Sequence, residues 1–295
     1  MNSILHKNPF SLYDFLGYFF PGTLVLFIAI YLLNINNVYY FVQYNSEYSF
    51  IRIFIFIVFA YVLGHIISYL SSLTIERFSL WCYGYPSEFL LGQRKNTNFW
   101  NSNVTSSTTE KAKISTYLRI TKIIIKIIIS IALLPISLFT LLSKLIFLES
   151  FITKSLDEFT INSILCKNVG LISKINLGKN YSPDLDVDYS RIMYHYYLHT
   201  NNTIFIQKTN NYVSLYGFLR STALSLNILT ITSLISCYNY YLTLILAAFT
   251  YIAFMSYMKF YRRYTLEIFM HLATDENIPV ISYDKNIEIM INIKR

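Results

Sequence analysis

Charge is scarce in this chain. Only 14% of its 295 residues are Asp, Glu, Lys or Arg, against roughly 25% in an average soluble domain. That shortage argues against an ordinary soluble globular protein. Glycine and proline are also few, at 8 and 6, which excludes a disordered or linker-rich chain. The three cysteines, Cys82, Cys166 and Cys237, fall in no CxxC and no paired spacing, as expected of unpaired thiols in a reducing compartment. No GxxxxGK(S/T) phosphate loop, GxSxG elbow or DxDxT-like phosphotransfer signature occurs. Nothing in the sequence therefore requires an enzyme, and no cofactor is expected.

What the chain has instead is apolar surface. Hydrophobic residues make up 54% and aromatics 18%, and mean hydropathy is +0.42. The apolar residues are clustered in runs, which points to an all-α integral membrane protein. The net charge of +8 would suggest nucleic-acid binding in a soluble chain. Here the basic residues concentrate in particular loops, which is the signature of membrane orientation, so no direct nucleic-acid contact is expected.

The organising stretch is Phe50–Ile75, FIRIFIFIVFAYVLGHIISYLSSLTI, long enough at ~1.5 Å per residue to cross a ~30 Å hydrocarbon layer. Before it, SLYD at Ser11–Asp14 reads as a helix start with a capping-box pattern, and the apolar run from Phe15 is interrupted by Pro21 and Gly22, where a kink is expected. Lys7 alone precedes that run and no small-x-small cleavage site follows it, so it reads as an uncleaved anchor. Two further runs, about 217–236 and 242–258, are separated by CYNYY and stopped by Lys259, Arg262 and Arg263. The stretch 123–148 is apolar but carries Lys126 and Lys144 and is divided by Pro135. It is read as two short interfacial helices whose lysines snorkel to headgroups.

Charge placement sets the threading. Residues 34–49 and 237–241 hold no Lys or Arg, so four spans (about 15–34, 50–75, 217–236 and 242–258) put both segments without basic residues outside and both termini in the cytoplasm. The domains are then an N-terminal helical pair (1–75), a mainly helical cytoplasmic insertion (76–216), a C-terminal helical pair (217–263) and a cytoplasmic tail (264–295). Short strands are expected at 169–177, 204–207 and 287–293, and a Tyr-rich helix at 188–199. The expected partners are the lipid bilayer, anionic headgroups against the basic cytoplasmic surface, and a second copy or a membrane partner protein.

Small residues recur every four positions at Ala60, Gly64, Ser68 and Ser72, and again at Gly217, Ser221 and Ser225. Both rows fall in cytoplasmic halves, so the second and third spans are expected to pack seam to seam. Glu76 and Arg220 would then meet near the inner boundary and pair, although Arg220 snorkelling to headgroups accounts equally well for that position. His65 lies at depth between Tyr61 and Tyr69, and Asn227 is a further intramembrane polar group. His65 is a candidate proton relay or ligand, and a neutral imidazole bonded to a neighbouring Tyr or Ser is the plainer account. Asp184, Asp186 and Asp188, with His195 and His199 one helical turn apart, are weak metal candidates. Neither a calcium-loop glycine nor the Glu of HExxH accompanies them, and a solvated acidic turn explains them as well.

The motifs SLYDFLGYFFPG entering the first span, YVLGH in the second, YGFLRS entering the third and YRRY leaving the fourth resemble uncharacterised bacterial multi-span membrane proteins, some of which occur alongside anti-phage defence genes. The resemblance covers the spans and not the central insertion. It implies a membrane-embedded sensor, effector or anchor in a bacterial inner membrane. The competing class is a membrane enzyme or transporter using His65 with the Asp184–Asp188 carboxylates.

Overall fold

The computed structural model describes residues 15–32, 49–92, 109–146, 150–175, 196, 200, 202–236, 240–278 and 280. Every regular element among them is helical. A π-helical turn, Phe15–Phe19, leads into α1, Phe20–Leu32. Helix α2, Ser49–Ser71, continues through a second π-turn, Ser72–Glu76, into α3, Arg77–Tyr83. Then follow α4, Pro86–Leu90, α5, Thr109–Ala132, α6, Leu134–Leu145, and α7, Ser150–Thr153. Helix α8, Glu158–Ile175, and two long helices, α9, Thr203–Ile235, and α10, Tyr240–Thr274, complete the fold.

Among the described residues three helices are long and apolar enough to cross a membrane: Ile53–Leu90, Thr203–Ile235 and Tyr240–Thr274. A fourth crossing would come from Ile120–Ala132 and Leu134–Leu145, bent by 98° at the break between them. The span expected at 15–34 contributes a shorter apolar stretch, Gly17–Ile28. Its irregularity is taken up one turn before the proline. The ring of Pro21 offers no N–H to the carbonyl four residues back and crowds it, and the wider π-turn at Phe15–Phe19 accommodates this.

The strand expected at 204–207, and the described part (169–175) of the one expected at 169–177, are corrected to helix. Residues 204–207 form the first turn of α9, because the Asn202 side-chain oxygen accepts the N–H groups of Ile204 and Phe205, both at 3.1 Å. Residues 169–175 end a helix that starts upstream at an Asp157 cap. The Thr160 N–H donates to Asp157 at 2.9 Å and its hydroxyl donates at 2.8 Å. These two bonds, the backbone one foremost, hold the Asp157 carboxyl below its ordinary range. A local alternation of apolar residues cannot outweigh a capped 18-residue helix. The strand expected at 287–293, and all of the helix expected at 188–199 except Tyr196, lie outside the described residues.

The chain divides into two compact units. The first comprises Met1–Tyr83, Asn96–Glu149 and Val213–Phe260, and the second Gly84–Lys95, Ser150–Tyr212 and Tyr261–Arg295. In the first unit the large apolar side chains of α2 point outward: Phe50, Ile53, Phe54, Ile57, Phe59 and Val62 are all exposed. An apolar exterior on this scale is the pattern of a surface meant for hydrocarbon. Its interior is aromatic. Phe254 packs against Phe78 at 6.1 Å and Tyr83 at 6.3 Å, and Tyr251 stacks on Phe139 at 5.5 Å between ring centres. The second unit has an ordinary apolar core of Phe89, Leu90, Ile164, Leu171, Phe269 and Leu272.

The break between α5 and α6 is built rather than frayed. Pro135 falls in the first turn of α6, where its missing N–H costs nothing. Of the carbonyls left over at the end of α5, that of Ser130 accepts the Ser137 hydroxyl at 3.1 Å. That of Ala132 accepts the Asn227 side-chain amide at 2.9 Å. Irregular backbone at membrane depth persists only where such partners exist. Asn227→Leu should therefore lower the stability of the detergent-solubilised protein by about 1–2 kcal/mol, the cost of one buried carbonyl left without its donor. An unchanged melting curve would mean that Asn227 does not hold the break.

Candidate functional sites

Within the first unit the small-residue rows meet a different partner from the expected one. A Cβ placed on Gly22 would lie 1.8 Å from the Ala60 carbonyl oxygen, and one placed on Gly64 would lie 1.9 Å from the Tyr18 carbonyl oxygen. The backbones of α1 and α2 thus touch directly, running antiparallel, with Phe27 against Phe56 further along at 5.6 Å. The third-span row meets α1 as well: the Ser225 hydroxyl donates to the Pro21 carbonyl at 3.2 Å. The seam-to-seam packing of spans two and three is therefore corrected at Ala60 and Gly64, where α1 takes the contact. The reason is steric, since Gly22 opposite Gly64 lacks a Cβ on both sides and permits the closest approach. Ala60, Gly64, Gly217, Ser221 and Ser225 are buried, whereas Ser68 and Ser72 are half-buried. Ser71, which the four-residue spacing passed over, is fully buried.

Spans two and three do meet lower down, where the Arg220 guanidinium pairs with Glu76 and its Nε donates to the Ser71 hydroxyl at 3.2 Å. Glu76 closes the π-turn after α2. Beside the pair, Ser79 and Tyr257 share a hydrogen bond of 3.2 Å. Deeper polar groups are matched across α9 and α10, Thr230 with Thr250 at 3.1 Å and Ser233 with Thr243 at 2.7 Å.

His65 is exposed on the outer face of α2. Its ring stacks on Tyr18 at 3.9 Å and meets Tyr61 edge-on at 4.6 Å, while Tyr69 points away and is exposed. The ring contacts of His65 among the described residues are thus the aromatic rings of Tyr18 and Tyr61. Asp184, Asp186, Asp188, His195 and His199 lie outside the described residues. Among the described residues no three His, Cys, Asp or Glu side chains come together as metal ligands do.

The second unit holds a site that the sequence did not reveal. A cavity of about 770 Å³ is lined by Tyr196, Asn202, His271, Asp275 and Glu276, among others, within the ~300–1,000 Å³ range of small-molecule pockets. Its polar wall is one connected network. The Tyr196 hydroxyl donates to Asp275 Oδ2 at 3.2 Å and bonds His271 Nδ1. Having given its only proton to the carboxylate, that hydroxyl accepts from Nδ1–H. Nε2 is then the acceptor for the Asn202 amide at 3.3 Å. The Asn202 oxygen is already used in capping α9, which fixes the amide's orientation. Burial foremost, and then the adjacent Asp275 carboxylate, push the Tyr196 hydroxyl well above its ordinary value.

Beneath the turn, buried Lys167 donates to the backbone carbonyls of Asp275 and of Ile278, the latter at 3.0 Å. It holds the cavity rim in place at the end of α10. The sequence signals for this site were faint: His271 in a last helical turn, followed by the polar triplet at 275–277.

Among the described residues the fold is thus helical, with three to four helices long and apolar enough to cross a membrane. Compared with protein-family models, with characterised proteins and with solved structures, the chain matches none.

Proposed function

We propose that the protein is a membrane-embedded effector or sensor, or an anchor that ties a partner complex to the bilayer, acting in a bacterial inner membrane. The observation that carries this reading is how the first unit is built. It has an apolar exterior, an aromatic interior in which polar pairs such as Thr230–Thr250 are hydrogen-bonded, and a broken helix pair whose freed carbonyls are held by Asn227 and Ser137. A membrane effector needs polar groups that are hidden at rest and an element with more than one arrangement.

In this reading α1 and α2 cross as a hairpin, α9 and α10 cross as a second, and α5–α6 dips into the bilayer and returns. Both termini and the basic segments are cytoplasmic, facing anionic headgroups. This agrees with the absence of Lys and Arg from 34–49 and 237–241. The exposed face of α2 serves self-association or a membrane partner. The link to anti-phage defence rests on the resemblance of the span motifs alone.

The enzyme-or-transporter reading needs charged groups converging on His65, and its described surroundings are aromatic. Expression in a bacterial host with membrane-potential and dye-entry readouts tests the choice. Depolarisation that survives His65→Ala and Asp186→Ala supports an effector. Loss of activity in either variant, with the packing variants still active, transfers the protein to the enzyme-or-transporter class.

A further inference from the structure

We infer that the cavity of the second unit is a binding site for a small organic cation, its ammonium group seated at Glu276 and its hydrocarbon against Leu171 and Ile278. This inference is independent of the proposed membrane function. Four observations converge on it. First, the described lining carries two carboxylates, Asp275 and Glu276, and no Lys or Arg, in a chain of net charge +8.

Second, the cavity lies at the C-terminal end of α10, a 35-residue helix, where the backbone dipole favours positive charge. Lys167 already takes the carbonyls of Asp275 and Ile278, so the lining carboxylates carry more of the preference for a cation than the helix end does. At the N-terminus of α9 the Asn202 side chain already takes the Ile204 and Phe205 amides, which leaves little there for an anion.

Third, the two carboxylates differ in availability. Asp275 accepts from Tyr196 on one oxygen, and from the Asn277 N–H at 2.9 Å and its side-chain amide at 3.1 Å on the other. Glu276 is exposed and has no hydrogen-bond partner among the described residues. With one carboxylate saturated, a metal ion would find a single free carboxylate ligand, whereas an ammonium needs only one.

Fourth, the same lining includes the Tyr196 and His271 rings beside Asp275 and the apolar side chains of Leu171 and Ile278. Aromatic face, carboxylate and hydrocarbon floor together are the complement of an amine.

Three four-carbon probes of the same shape test the charge requirement: putrescine, 1,4-butanediol and succinate, titrated into the purified full chain in an amine-free buffer by calorimetry. Binding of putrescine alone is expected, weakened roughly tenfold by Glu276→Gln, as when one charge-assisted hydrogen bond is lost. Because Glu276 is exposed, the variant should keep the helical circular dichroism of the parent. Butanediol binding as tightly as putrescine, a preference for succinate, or putrescine affinity unchanged in Glu276→Gln would each overturn the inference.

Discussion

Gly64→Leu should dislodge α1. The Tyr18 carbonyl oxygen would lie 1.9 Å from the new Cβ, and no rotamer of the added side chain relieves a clash that begins at the first carbon. The neighbour is backbone, so one helix must move. Overpacking of a well-packed core ordinarily costs about 1–3 kcal/mol. The cost here should be at or above the top of that range, because shifting α1 also breaks the bond from Ser225 to the Pro21 carbonyl and the Tyr18–His65 stack. Thermal unfolding in detergent and protease sensitivity of the N-terminal segment would report the loss. Gly22→Ala should behave alike, with its Cβ 1.8 Å from the Ala60 carbonyl oxygen. Ser68→Ala and Ser72→Ala, half-buried on the same row, should change stability by less than about 0.5 kcal/mol. Near-wild-type unfolding of Gly64→Leu would refute the α1–α2 contact.

Arg220→Met should be the second most damaging change, and its rescue is the more informative result. It leaves the Glu76 carboxylate in a half-buried site, with the Ser71 hydroxyl also losing its donor. Removing one partner of a buried pair costs about 3–5 kcal/mol. The Glu76 side chain keeps 32% exposure against 14% for Arg220, so water meets part of the charge and about 2–3 kcal/mol is the better figure. Glu76→Gln combined with Arg220→Met should recover most of that loss, since no uncompensated charge remains. An additive double mutant would show that the two side chains do not interact.

How much of this was legible in the sequence depends on whether a feature is local or long-range. The spanning character of α2, α9 and α10 is carried by runs of apolar residues, and composition alone reveals it. The division of 123–148 at Pro135 followed from the proline itself.

The seam partner was not legible. A row of small residues shows that something approaches closely and not what, and Pro21-Gly22 reads as a kink signal as readily as a docking surface. The continuation of α2 through Glu76 into α3 was missed because charged Glu76 and Arg77 look like a span's end, while the π-turn that absorbs them leaves no pattern. The cavity network was missed because Tyr196, Asn202 and His271 are distant in sequence and each is unremarkable alone. Only the folded arrangement of α9's cap and α10's last turn brings them within hydrogen-bond reach.

The threading is tested most directly by labelling single cysteines in intact cells, in a chain from which Cys82, Cys166 and Cys237 have been removed. An impermeant maleimide should label a cysteine at Asn45, in the segment without Lys or Arg that precedes α2. It should fail to label one at Asn103 or Asn201 until the membrane is opened. Labelling of Asn103 or Asn201 in unopened cells would contradict the four-span arrangement and the cytoplasmic placement of the segments between spans two and three.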